Sequence, residues 1–404
     1  MRIALIQPDS PYLTYPFAFP SLGLLYISSY LKSNGFHVNY YDLTGGMKLP
    51  YIKADIIAFT CQITQFKDVL RMRDELLKDN PSARFVIGGP FPTHSPEMCE
   101  GFYVIRGEGE IPFLQYLQDK DEPYEYVDPN FFPDWEALDL KRYGYGLEGK
   151  RCINIMTKRG NCPYNCTFCA KQEIGGKLRF RSVENILEEV DYLRKEGFGA
   201  LAIYDDDVLL DKKRDYLIFE ALKRRDMPYR CMTRTNLATK EDLQMLKDTG
   251  CAELAIGVES ADPYIHNVVC NKGTTIEQDT EFVRTCKEIG LRVKTYLIFG
   301  LPSESEESIA RTNAWLAEVK PDNFDISLFT PYPGSDIYKN KEKYDIGWRE
   351  SKLREVWFSG EAQYGECAVH TSHLTSAEIL KAKESAQRKF KRGKAGATSY
   401  WKPL

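Results

Sequence analysis

Three cysteines of this 404-residue chain stand close together, in Lys158-Arg-Gly-Asn-Cys162-Pro-Tyr-Asn-Cys166-Thr-Phe-Cys169. Soft thiolates at such spacing suit an iron–sulfur cluster or a zinc ion. Zinc usually wants a fourth Cys or His with a short spacing of its own. No second CxxC occurs, and the five histidines (37, 94, 266, 370 and 373) are all distant in sequence. Three thiolates on a four-iron cubane leave one iron open to chelation by a small molecule. The other eight of the 11 cysteines are scattered and read as small buried hydrophobes.

Further polar groups punctuate the sequence downstream, at Asp205-Asp206-Asp207, Arg234-Thr-Asn236, Glu259-Ser260 and Gly300 of Phe299-Gly-Leu-Pro302. The elements that position them are a βα series. Strands are expected at Cys152–Thr157, Ala200–Tyr204, Arg230–Thr233, Ala252–Gly257, Val293–Phe299 and Phe324–Phe329, with helices between them. The cysteine loop follows the first strand, and each polar group falls at a strand's carboxyl end, where α/β barrels place their chemistry.

Upstream, short apolar runs at Arg2–Gln7, His37–Asp42, Ile56–Cys61, Phe85–Ile87 and Val104–Arg106 alternate with helical stretches, which implies a parallel, doubly wound sheet. The fold class is therefore α/β. A Rossmann-like domain spans 1–110 and a connector poor in periodicity spans 111–150. A partial (β/α)6 barrel of TIM type spans 151–340, and a small C-terminal region spans 341–404. The aromatics Trp348, Trp357, Phe358 and Tyr364 of that last region fit either a cover over substrate or a buried core.

CxxxCxxC after the first strand of a βα series resembles the radical S-adenosylmethionine (SAM) superfamily, over about residues 150–340. The resemblance implies that Cys162, Cys166 and Cys169 bind a [4Fe–4S] cluster whose open iron takes the amino and carboxylate groups of SAM. SAM is then cleaved to a 5′-deoxyadenosyl radical that abstracts hydrogen from substrate. By the same resemblance Phe168 lies beside the adenine, Glu259 accepts the ribose hydroxyls and Arg234 faces the carboxylate. Asp206, Ser260 and Gly300 complete the expected SAM contacts. The Gly-Gly-Glu of many relatives is absent after the second strand.

Pro20-Ser-Leu-Gly23-Leu-Leu-Tyr, Ala58-Phe-Thr60-Cys-Gln62-Ile-Thr64, Gly88-Gly89-Pro90 and Arg106-Gly-Glu108-Gly-Glu110 are together similar to the cobalamin-binding domain of one class of these enzymes. That likeness implies corrin contacts from Pro8, Gly23, Thr60, Gln62, Thr64, Gly88, Gly89, Pro90 and Glu108. The Asp-x-His-x-x-Gly loop that ligates cobalt in many B12 proteins is absent. Only Cys61 and Cys99 precede residue 150, too few for the second cluster of methylthiotransferases. The resemblance implies a cobalamin-dependent methyltransferase acting on an unactivated carbon. The alternative is a radical rearrangement, cyclisation or oxidation with a scaffold domain in place of a corrin carrier. A non-catalytic cluster-binding regulator would have no use for the polar groups at the barrel mouth.

A net charge of −4 offers no footprint for bulk nucleic-acid binding. Met1-Arg-Ile-Ala-Leu-Ile opens as a strand without a cleavable apolar core, and no run approaches the roughly 18 apolar residues of a membrane span. The expectation is a cytoplasmic enzyme served by an external electron donor such as flavodoxin or ferredoxin.

Overall fold

The computed structural model describes residues 1–10, 13, 15–123, 126–171, 174–359 and 366–390. The N-terminal sheet contains β1 (Ile3–Gln7), β2 (Val38–Asp42), β3 (Ile56–Thr60), β4 (Arg84–Gly88) and β5 (Tyr103–Val104). All pair in parallel, in the order β2-β1-β3-β4-β5. Every residue of β1 is buried, because helices cover both faces of such a sheet. The strand order reverses between β1 and β3. A crevice therefore opens beyond their carboxyl ends, the place where doubly wound sheets bind ligands.

Four helices accompany this sheet: α1 (Leu22–Ser33), α2 (Phe66–Asp79), α3 (Pro90–His94) and α4 (Glu110–Leu117). Leu24 and Leu31 of α1 pack with Ile3, Leu5 and Ile56, whereas its Leu22, Leu25 and Tyr26 join the core of the second domain. One helix thus serves two cores. α4 begins at residue 110, where the sequence reading closes the first domain, and buries Phe113 and Leu117 in the same core as Ile3 and Leu5.

The second sheet curls into a half-barrel. It contains β6 (Tyr145–Leu147), β7 (Lys150–Ile155), β10 (Ala200–Ile203), β11 (Tyr229–Met232), β12 (Cys251–Glu259), β13 (Val293–Phe299) and β14 (Asn323–Leu328), in the order β14-β13-β12-β11-β10-β7-β6. The six expected strands are all present and parallel. β6 pairs antiparallel to β7 at the edge, and three residues are too few to show a period in sequence. A small ribbon of β8 (Lys158–Arg159) and β9 (Arg179–Phe180) carries the cysteine loop.

The helices α5 (Val183–Lys195), α6 (Lys212–Arg224), α7 (Lys240–Asp248), α8 (Ile276–Glu288) and α9 (Glu306–Val319) start where side chains can cap them. Ser182, Asp211, Thr239, Thr275 and Ser305 each accept from the backbone N–H three residues on. Ile153, Leu201, Tyr229, Leu254 and Leu297 of the strands pack against Val190, Phe219, Leu243, Val283 and Leu316 of these helices.

The C-terminal region adds α10 (Asp336–Lys339), β15 (Gly347–Trp348), α11 (Glu350–Ser359), β16 (Val369–His370) and α12 (Ser376–Phe390). α12 lies on β14 and α9, while α11 reaches the first domain, where Phe358 meets Phe66 and Phe91. Trp357 is buried and donates to the Pro331 carbonyl at 3.1 Å, so this part of the aromatic tail is core. Tyr364 lies outside the described residues. No helix among the described residues is long and apolar enough to cross a membrane.

Candidate active site

The cysteine loop leaves β8 at Gly160, whose φ is +100°. A Cβ there would stand 2.3 Å from the Lys177 carbonyl oxygen, so glycine alone fits. Cys162, Cys166 and Cys169 are each half-buried, and the Cys169 N–H donates to the Cys166 carbonyl at 3.1 Å, folding the last two into one turn. Burial pushes the Cys162 thiol up to about 11 and raises that of Cys169 as well. Among the described residues no three metal-ligating side chains already converge on one point. The fit to an iron–sulfur cluster lies in the donor set, three soft thiols in one loop over the carboxyl ends of the strands.

The three aspartates after β10 do three different things. Asp205 accepts from the Thr157 N–H (2.9 Å) and hydroxyl (2.5 Å), locking the exit of β7. Asp206, expected at SAM, is ion-paired with Lys171. Asp207 lies 3.6 Å from the Cys162 sulfur, and burial raises its carboxyl.

Arg234 is brought to the same place from β11. Its Nη1 donates to the Cys166 sulfur at 3.5 Å and its guanidinium lies 3.8 Å from the centre of the Tyr164 ring. Its Nε and Nη2 are buried and have no hydrogen-bond partner among the described residues. Two donors on a permanent cation beside the cluster loop suit a carboxylate. Phe168, between Thr167 and Cys169, is half-buried against the core.

Glu259 ends β12 in the left-handed region, with φ +64°. Such a conformation costs a non-glycine residue of order 1–3 kcal/mol and clusters at functional sites. Its carboxylate pairs with Lys272 at 2.9 Å, both side chains buried. Gly257 makes the room, since a Cβ there would stand 2.2 Å from Glu259 Oε1 and 2.8 Å from Lys272 Nζ. Sequence reasoning missed Lys272, which lies 13 residues beyond Glu259 with no local signal to join them.

Two expected SAM contacts point elsewhere. The Ser260 hydroxyl accepts from the Asp262 N–H at 3.2 Å and is fully buried. Gly300 sits in a positive-φ turn beneath Val369 and Ile379, its N–H donating to Glu304.

In the first domain, Pro8, Thr60, Gln62, Thr64 and Gly88–Pro90 gather at the carboxyl ends of β1, β3 and β4. Gln65 stitches the crevice, its Nε2 donating to the Pro8 and Asp9 carbonyls at 3.1 and 3.2 Å. Gln7 Oε1 and Thr64 Oγ1 are buried here with no partner among the described residues, as groups that meet a polar ligand would be. Gly89 (φ +104°) has a reason within the protein, because a Cβ would stand 2.9 Å from the Cys61 carbonyl oxygen. Gly23 lies on the exposed side of α1. Glu108 is engaged across the domain boundary, paired with Arg179 and, at 3.6 Å, with Arg159, which also holds Glu110 at 2.7 Å. These pairs tie the first domain to the ribbon that carries the cysteines.

A half-barrel with a three-thiol loop over its strand ends, joined to a doubly wound domain, defines a radical SAM architecture. Residues 158–316 match the radical SAM superfamily and residues 12–117 the B12 binding domain. The chain is a radical SAM enzyme of the class with an N-terminal B12-binding domain, and its cofactors are a [4Fe–4S] cluster, SAM and cobalamin. An uncharacterised methyltransferase of Pyrococcus horikoshii is 28% identical, over 92% of this chain and 87% of its own. The anaerobic magnesium-protoporphyrin IX monomethyl ester cyclase of Rubrivivax gelatinosus is 25% identical, over 84% of this chain and 70% of its own. Among solved structures, the radical SAM methyltransferase TsrM of Kitasatospora setae, with cobalamin and a [4Fe–4S] cluster bound, aligns with a TM-score of 0.69 at 17% identity. The alignment covers 86% of this chain and 80% of that one.

Proposed function

We propose that this enzyme transfers a methyl group to an unactivated carbon, using a radical generated from SAM. The observation that carries the reading is the tie between the two domains. Arg159, one residue from the cluster loop's first turn, is fixed to Glu108 and Glu110 at the edge of the B12-binding domain. Buried ion pairs thereby join a carrier for methyl groups to a generator of radicals. That methyltransferases stand among the relatives supports it.

When bound, the cluster supplies the electron that cleaves SAM, and the corrin carries the methyl group. The protein's own residues bind, orient and shield. Cys162, Cys166 and Cys169 hold the cluster. Arg234 offers Nε and Nη2 to the SAM carboxylate, Phe168 flanks the adenine and Glu259 accepts from the ribose. Pro8, Thr60, Gln62, Thr64 and Gly88–Pro90 line the corrin crevice. The reductant is an external donor of the flavodoxin or ferredoxin type.

The test is product analysis of the anaerobically reconstituted, corrin-loaded protein with methyl-labelled SAM and dithionite. Methyl transfer yields both 5′-deoxyadenosine and S-adenosylhomocysteine. Formation of 5′-deoxyadenosine alone favours the alternative of radical rearrangement, cyclisation or oxidation.

A further inference from the structure

Between β12 and α8 the chain makes a π-helical segment, Ile265–Val269, followed by Cys270–Lys272. Single π-turns often mark functional sites. This one makes two sets of contacts. Toward the cluster loop, the Val269 carbonyl accepts from the Thr167 hydroxyl at 2.6 Å and the Cys270 carbonyl from the Thr167 N–H at 3.1 Å. Asn271 Nδ2 donates to the Asn165 carbonyl at 3.1 Å. Thr167 and Asn165 flank Cys166, so the loop's central thiol is held from this segment.

Toward Glu259, the same segment supplies both a backbone clamp and a side-chain partner. His266 is fully buried, and its Nδ1 lies 2.9 Å from the Val258 carbonyl oxygen and 3.2 Å from that of Ser260. Both groups are acceptors, so Nδ1 carries the hydrogen. They are the two carbonyls that bracket Glu259 and its left-handed turn. Nε2 meets the Thr274 hydroxyl at 3.0 Å. Lys272 donates to Glu259 Oε1 at 2.9 Å, and no protein partner of Oε2 is found among the described residues.

We infer that His266 and Lys272 are the positioning residues of the SAM site, fixing Glu259 at a set distance from Cys166. This rests on the reading of Glu259 as the ribose acceptor. SAM must span from the cluster to that carboxylate, and a single eight-residue segment anchors both ends of the span. Lys272 fixes one carboxylate oxygen and leaves the other without a partner among the described residues, available to a ribose hydroxyl. His266 holds the strained turn that aims it.

The experiment measures SAM dissociation constants, iron content and the SAM-induced change in the cluster EPR spectrum, on reconstituted holoenzyme. Lys272→Met should keep its iron, weaken SAM by about tenfold and blunt the EPR change, whereas Lys272→Arg should recover most of both. The double variant Glu259→Gln/Lys272→Met, which leaves no unpaired buried charge, should fold and bind SAM no worse than Glu259→Gln alone. Unchanged SAM affinity in Lys272→Met, with Glu259→Gln impaired, overturns this inference alone. Loss of iron in Lys272→Met also overturns it, since the residue would then support the loop and not Glu259. Unchanged affinity in Glu259→Gln overturns the ribose assignment and this inference with it.

Discussion

Arg234 Nη1 donates to the Cys166 sulfur across 3.5 Å, while Nε and Nη2 of the same buried guanidinium have no hydrogen-bond partner among the described residues. A buried donor without a partner costs about 1–3 kcal/mol, and more on a charged group, so an anionic ligand gains by supplying one. Arg234→Met is expected to keep the cluster and to weaken SAM binding by about tenfold to a hundredfold. Arg234→Lys, a point charge in place of a planar fork, should recover part of that loss. Equilibrium dialysis against labelled SAM reads both, and full affinity in the Met variant would remove Arg234 from the site.

The reconstituted protein should hold about four irons, on the ligation chemistry of a three-thiolate cubane. Alanine at Cys162, Cys166 or Cys169 should abolish the cluster's absorbance. Alanine at Cys61 or Cys99, both buried in the apolar core of the first domain, should leave iron content intact. A triple variant that kept its iron would refute the loop as the ligand set.

Arg181 and Glu189 form a fully buried ion pair at 2.5 Å. The Trp135 indole N–H donates to the second carboxylate oxygen at 2.9 Å, and Arg181 also donates to the Met156 carbonyl at 2.7 Å. Glu189→Gln strands the guanidinium without a counter-charge and should destabilise the fold by about 3–5 kcal/mol in denaturant unfolding. Paired replacement of both residues by Met should cost much less.

Glu304 is fully buried beside the turn at Gly300, and burial pushes its carboxyl from the ordinary 4.5 up to about 8. A raised acid favours the fold while protonated, so its contribution is complete below its ordinary value and is lost as pH climbs through 8. Stability of the parent should fall over that window by up to ~1.4 kcal/mol per pH unit relative to Glu304→Gln. Melting curves of the two proteins across pH 5–8 check the sign, and parallel profiles would exclude a protonated Glu304.

The loop after β1 carries no histidine. His37 precedes β2 at its amino end, and His94 closes α3 with its ring against Gly334. The protein loaded with cob(II)alamin should therefore give an EPR spectrum without superhyperfine splitting from a histidine nitrogen. Such splitting would contradict the placement of both residues.

Cysteine spacing and strand periodicity are local properties, and they marked out the cluster loop, the six parallel barrel strands and the polar residues at their carboxyl ends. The helix starts were equally legible, because Ser182, Thr239, Thr275 and Ser305 cap within three residues of themselves. Tertiary structure alone decided the partners. Nothing local joins Glu259 to Lys272, Glu108 to Arg159 and Arg179, or His266 to the carbonyls around Glu259, since each contact depends on how separate segments pack. The same holds for Gly300, a family-like residue in sequence whose neighbours, Val369 and Ile379, arrive from the C-terminal region. Sequence shows which chemistry each strand end offers. Packing selects which of those groups meet one another, because burial leaves a charge stable only where another segment brings its counter-charge.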